Sequence, residues 1–477
     1  MKARKAIGKK SSDKMRKICT VFALILTFVF AFASFKLATE IQGASGYAVD
    51  EIYYVSSARN ILREFFNFQP SYVDSSGGNH YTIFFRSYSD LSLVRENFRD
   101  FIKINFDGCV THEYSKTAAV AIVTYGELDR GAVLSAFPGV KIIQSGFHYP
   151  DVYNTENYLN MEHPPMVKYI IGFFMFVMGD QPISWRMPSV IIGSITLLLL
   201  YFLVAGLINY EIALLVFLFA FADPVFRAMS SVAMLDIYVA FFIALSALFA
   251  AKRRYLFSAL SIGLGLSCKL TGLFSAGALF LVMVSRKSRP TKCLTYPFAV
   301  PFLIWFSFNF PFIAKLGLGG WAGELFGGLK WFISSRPPGP PVSAPWGWFV
   351  NENPFVLNFS PDVSASVNPA VYLLALIAMF FIPYLVYRRG REHLIPALWF
   401  ASTFSGYIFV YIMGNRTMYS FYVVTLSPMA YALACALVYC ASEPQIYKEA
   451  LKLYRSFLAK CRRSFQQKVR RGIKQET

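Results

Sequence analysis

Between residues 18 and 441 the chain is a succession of apolar runs, many of them long enough to cross a bilayer and nearly free of charge. In hydrocarbon the backbone must satisfy its own hydrogen bonds, which leaves helices or closed barrels. Long runs without strict alternation select helices. The pattern therefore predicts a mainly α, polytopic membrane protein. Only 15% of the 477 residues are charged, where soluble domains carry about a quarter. The formal charge of +19 would suit a nucleic acid, but the basic residues gather in short loops and tails between apolar runs. Basic loops orient membrane helices with those loops inside, so no nucleic-acid partner is expected. The seven cysteines are scattered without C-x-x-C spacing, and neither a disulfide framework nor a zinc site is indicated.

Taken in order, residues 1–17 form a basic tail expected in the cytoplasm, and 18–39 an uncleaved first crossing. Residues 40–165 then form an outer loop. It holds fifteen of the 27 acidic residues and four of the five histidines. Its middle, about 78–146, reads as a small extracytoplasmic α+β insertion. Strands are expected at 81–86, 118–124 and 140–143, with helices at 90–106 and 127–137. Residues 166–441 read as a multi-pass domain with an outer loop at 319–366, and 442–477 as a basic amphipathic tail on the inner surface.

The stretch 166–178 spans only ~20 Å as a helix, short of a ~30 Å hydrocarbon core. It is expected to be interfacial or half-inserted. Ten full crossings follow, with both termini inside; eleven follow if that stretch crosses. On this topology Asp50, Glu51, His163, Lys168, Arg186, Asp236, Lys269, Arg416 and the 319–366 loop with Trp346 and Trp348 share the outer face. The paired acids stand in Gly46-Tyr47-Ala48-Val49-Asp50-Glu51-Ile52-Tyr53-Tyr54. Acids also suit a helix N-terminus, and a lysine such as Lys269 can snorkel to the interface. Asp236 is harder to explain so, because its short side chain cannot reach far. The tryptophans fit a membrane-interface belt or a stacking surface.

Together these stretches resemble one family. Asp50-Glu51, His163-Pro164-Pro165 with Lys168, Trp185-Arg186-Met187-Pro188-Ser189, Leu235-Asp236, Lys269-Leu270-Thr271-Gly272-Leu273 and Ser343-Ala344-Pro345-Trp346-Gly347-Trp348 are similar in order and spacing to motifs of the dolichyl-phosphate-mannose protein O-mannosyltransferases. The chain departs from that pattern in its α+β insertion, in Met166-Val167 for the usual Leu-Gly, and in Tyr422 where a histidine is common. The resemblance implies the C-type glycosyltransferase fold, a prokaryotic or archaeal plasma-membrane protein, and commonly eleven crossings.

It also implies a reaction: transfer of a hexose, mannose first, from a polyprenyl (dolichyl) phosphate to a protein Ser/Thr hydroxyl on the extracytoplasmic face, with inversion and no cofactor. Such transfer needs a base for the acceptor hydroxyl and cations for the departing phosphate. Asp50 is the expected base, with Glu51 beside it. Arg186, Lys269, Arg416 and Lys168 are expected at the phosphate, and His163, Asp236, Trp346 and Trp348 in support. A divalent ion held by Asp50 and Glu51 is the alternative that adjacent carboxylates leave open. A lipid or glycan acceptor, as in aminoarabinose transferases, is the rival reading. A transporter is a more distant one, since the charges gather on one face and no inverted repeat is evident.

Overall fold

A computed structural model describes residues 13–41, 47–70, 78–113, 118–146, 155, 157–334, 342–359, 361–415 and 417–473. Gly46, Arg416 and the proline-rich stretch 335–341 lie outside the described residues.

The chain opens with α1 (Asp13–Glu40) and α2 (Glu51–Phe66). Next come β1 (Asn79–Phe85), α3 (Tyr88–Phe106), β2 (Cys109–Glu113), β3 (Ala119–Thr124), α4 (Arg130–Ala136) and β4 (Val140–Ser145). These four strands form one antiparallel sheet in the order β2-β3-β1-β4. Side chains alternate along a strand, so Tyr81, Ile83 and Phe85 meet Leu91, Phe98, Ile102, Val133 and Phe137 from the two helices. On the other face Phe84 packs with Ala119 and Ala121. Ser87 caps α3 by accepting the Asp90 N–H at 3.1 Å. Strand β2 was not expected from the sequence: it is a five-residue edge strand with weak apolar alternation.

The rest is helical: α5 (Met166–Met178), α6 (Pro182–Leu207), α7 (Tyr210–Ala213), α8 (Leu215–Ala222), α9 (Pro224–Met229), α10 (Asp236–Ala251), α11 (Tyr255–Cys268), α12 (Ala276–Ser285), α13 (Pro290–Leu294) and α14 (Val300–Ile333). A short β5–β6 hairpin (Val356–Phe359, Asp362–Ser364) precedes α15 (Pro369–Arg389), α16 (Ile395–Ile412), α17 (Ser427–Ser442) and α18 (Pro444–Ile473). Among the described residues five stretches are long and apolar enough to cross a membrane: Asp13–Glu40, Pro182–Leu207, Pro290–Lys330, Pro369–Arg389 and Arg391–Ile412. Six shorter apolar helices, Met166–Met178 among them, accompany these.

The expected outer loop from 319 begins as helix. Gly317 takes φ 72°, a conformation only glycine adopts freely, and the second arm of α14 turns back from there. Trp321 donates to Asn309 Oδ1 at 3.1 Å and packs with Ile61, Leu159, Met161 and Phe312. Phe332, near the arm's end, reaches the His163 ring. The glycine-rich sequence reads as loop because the packing that holds this arm is long-range.

Candidate active site

The site is built where α2 begins. Val49 lies at φ 52°, and Asp50 follows as the last residue before the helix. Its main-chain carbonyl accepts the Tyr53 and Tyr54 N–H groups at 2.9 and 3.3 Å. Successive helical residues diverge by about 100°, so Asp50 and Glu51 face different ways. That divergence separates their environments.

Glu51 is fully buried and fully bonded. Oε1 accepts Arg186 Nε and the Ala233 N–H, both at 2.8 Å. Oε2 accepts Arg186 Nη2 at 2.8 Å and the Ala48 N–H at 2.7 Å. Arg186 Nη1 donates to the carbonyls of Ala38, at 3.0 Å, and Ile41. One ion pair thus ties together the end of α1, the start of α2, the start of α6 and the turn before α10. Two turns along α2, Arg59 makes a second buried pair. Its Nε and Nη2 meet Asp180 at 2.6 and 2.9 Å, Trp185 Nε1 donates to Asp180 at 2.9 Å, and Tyr47 stacks on Trp185 at 4.8 Å. Both pairs brace the turn that carries Asp50.

Asp50 itself is half-buried, and its carboxylate has no hydrogen-bond or ion-pair partner among the described residues. Burial pushes its pKa up to about 6; the Lys269 charge opposes the rise and the Asp236 charge adds to it. These two form the third buried pair, with Lys269 Nζ 2.8 and 2.9 Å from the Asp236 oxygens. Lys269 Nζ also stands 4.0 Å above the Tyr422 ring. The turn that presents it depends on Gly272. A Cβ there would come within 2.3 Å of the Gly265 backbone.

His163 stacks edge-on to Tyr54 at 5.7 Å between ring centres. Burial, then Lys269 and Lys168, holds its pKa well below the ordinary histidine range. Lys168 is fully buried and spends its donors on the loop before it: Leu159 O at 3.2 Å, His163 O at 2.8 Å, and Asn160 O. Trp348 is buried edge-on against Tyr407 and Tyr422, whereas Trp346 is 54% exposed against Tyr411.

The structure therefore brings Asp50, Asp236, Lys269 and His163 into one electrostatic neighbourhood. It places Arg186 on Glu51 and Lys168 on backbone carbonyls. Arg416 lies outside the described residues. Tyr54 and the Arg59–Asp180 pair were missed by sequence reasoning. Tyr54 had a signal, since it follows Asp50 by one helical turn and shares its face; Asp180 had none. Glu51's oxygens each accept two N–H groups. Among the described residues no group of three His, Cys, Asp or Glu side chains converges.

Apolar helices with ion pairs buried at one end, and beside them a carboxylate unpartnered among the described residues, make this end of the helices the candidate site. Known proteins resolve its class. Residues 162–312 match the family model described as dolichyl-phosphate-mannose-protein mannosyltransferase. A polyprenol-phosphate-mannose–protein mannosyltransferase of Corynebacterium glutamicum is 24% identical over 368 residues, covering 57% of this chain and 70% of its own. Both matches are to polyprenyl-phosphate-sugar-dependent mannosyltransferases, which bears out the family resemblance and the enzyme class read from the motifs. Among solved structures, ArnT from Cupriavidus metallidurans bound to undecaprenyl phosphate is 16% identical with a TM-score of 0.45, covering 63% of this chain and 54% of that one. Archaeal oligosaccharyltransferase AglB from Archaeoglobus fulgidus, in complex with an inhibitory peptide and a dolichol-phosphate, is 13% identical with a TM-score of 0.44, covering 91% and 51%. The chain spans about half the length of these two structures.

Proposed function

We propose that this chain transfers a hexose, mannose first, from a polyprenyl (dolichyl) phosphate to a protein Ser/Thr hydroxyl on the extracytoplasmic face of the plasma membrane. One observation carries the reading: Asp50 keeps an uncommitted carboxylate beside the Asp236–Lys269 pair. Ionised Asp50 takes the proton of the acceptor hydroxyl as its oxygen attacks the anomeric carbon. The bond from that carbon to the phosphate oxygen breaks, and the leaving polyprenyl phosphate gains negative charge. Lys269 offsets that charge in this reading; its contacts to Asp236 and the Tyr422 ring fix its position. Arg416 remains a candidate second cation. Glu51, Arg186 and Lys168 act as positioning residues. The protein acceptor is favoured over a lipid because the family model and the curated relative are both protein mannosyltransferases. Ten crossings in the C-type arrangement belong to the same proposal, as does a reaction without a metal.

The test incubates purified protein with radiolabelled polyprenyl-phosphate mannose, a Ser/Thr-rich peptide and membrane lipids. Label in the peptide is the expected outcome, absent with Asp50→Asn. Label only in lipid or glycan would assign the rival acceptor, and no label in any fraction would overturn the activity.

A further inference from the structure

The basic turns at the opposite ends of these helices line an open cleft of about 1510 Å3. Helix α10 separates it from Asp236: sixteen residues, or ~24 Å of helix. It is therefore distinct from the site around Asp50. Its lining includes Arg253, Arg286, Arg388, Arg389, Arg391 and Glu392.

The charges there do not balance. Glu392 Oε1 accepts Arg253 at 3.0 Å and stands 3.4 Å from Arg286 Nη2. Glu449 meets Arg388. Arg389 donates to the Tyr439 hydroxyl and Arg391 to the Ser285 carbonyl, both uncharged. Among the described residues Arg253, Arg286, Arg388 and Arg391 meet two carboxylates, a formal excess of two positive charges. Arginines that merely orient a membrane helix sit in water. Arg286 does not. Its side chain is 9% exposed; Nη1 donates to Tyr255 at 3.0 Å, and buried Nη2 meets the Glu392 carboxylate at 3.4 Å without forming a hydrogen bond. A buried donor held by charge alone leaves its hydrogen bond to be made, and Arg286 lines the cavity.

We propose that this cavity binds a phosphate mono- or diester anion, carried by an anionic lipid headgroup. Guanidinium forks match phosphate oxygens in pairs. The volume exceeds the ~300–1,000 Å3 of ordinary small-molecule sites, which suits a headgroup with its glycerol. Leu385, Val386 and Ile446 supply apolar wall for the first methylenes. A free phosphate would satisfy the same donors without using that wall.

The experiment takes full-length protein in detergent, exchanges it with phosphatidylglycerol or phosphatidylcholine, and measures retained lipid by native mass spectrometry. A parallel thermal-shift titration uses inorganic phosphate. Phosphatidylglycerol should be retained over phosphatidylcholine. Arg286→Gln should weaken retention at least about tenfold, the lower end for a lost charged hydrogen bond, and Arg253→Gln, a more exposed member of the lining, about fourfold. Arg254→Gln, an exposed base outside the lining, should stay within about twofold, as for a surface charge. If Arg286→Gln does not fold, Arg253→Gln carries the test, since its side chain is 70% exposed. Stabilisation by inorganic phosphate alone, lost in the cavity variants, would assign the site to a free anion. Equal behaviour of wild type and cavity variants toward both probes would overturn it, and so would an equal loss in Arg254→Gln.

Discussion

Glu51 and Arg186 form a two-pronged ion pair, 2.8 Å at each contact, with side chains essentially closed to solvent. Adjacent carboxylates in one motif thus have opposite situations. Glu51 is spent on the protein's own frame, and Asp50 is left over for something else.

Breaking that pair should damage the fold before it touches chemistry. Removing one partner of a buried pair costs about 3–5 kcal/mol, because the other charge is stranded. Arg186→Met and Glu51→Gln should each lower the melting temperature in detergent strongly. The double variant Glu51→Gln/Arg186→Met should lose less than the sum. Additive losses, or an Arg186→Met protein that melts normally but binds donor poorly, would return Arg186 to the phosphate.

Asp50→Asn should do the reverse. Its carboxyl titrates higher in the folded chain than in an unfolded one, so folding favours the protonated form. The stability it contributes is present at low pH and declines as pH rises from the ordinary aspartate range to about 6. A neutral amide at pH 7 should therefore leave melting unchanged or raised. Transfer should fall by the ~10²–10⁴-fold typical of a lost general base. Activity near that of wild type would remove Asp50 from catalysis.

How much of this was legible in the sequence depends on the range of the contacts. The strands at Asn79–Phe85, Ala119–Thr124 and Val140–Ser145 fall on segments whose alternation is local. The proximity of Asp50, Asp236 and Lys269 follows from motif order, which reports which residues share a face. The division of labour between Asp50 and Glu51 does not. It depends on Arg186, 135 residues away, and on the Ala233 N–H, 182 away. The family resemblance suggests a phosphate role for Arg186 and Lys168. Their approach to the carbonyls of Ala38, Ile41, Leu159 and His163 carries no local signal in the sequence.

Gly272 supplies a test of the turn that presents Lys269. Gly272→Ala would drive its Cβ into the Gly265 backbone, which has no side chain to move aside. The turn must open, and the Lys269–Asp236 contact goes with it. Weakened donor binding with a lowered melting temperature is expected, whereas Gly323→Ala, which meets nothing within 4 Å, should be silent. A fully active Gly272→Ala enzyme would show that the turn tolerates what its geometry forbids.

The pH profile ties the lysine to the base. Asp50 acts when ionised, so the transfer rate should be full near neutrality. It should fall about tenfold per unit below its pKa of about 6. Burial and Asp236 raise that pKa, and Lys269 is the one charge that lowers it. Lys269→Met should therefore move the acid limb to higher pH, besides weakening donor binding. Lys269→Arg keeps the charge and should largely restore the limb, though it cannot reproduce the lysine's compact fit between Asp236 and Tyr422. A limb that stays put in Lys269→Met, measured at saturating donor, would separate the two residues and leave Lys269 as a structural partner of Asp236 alone.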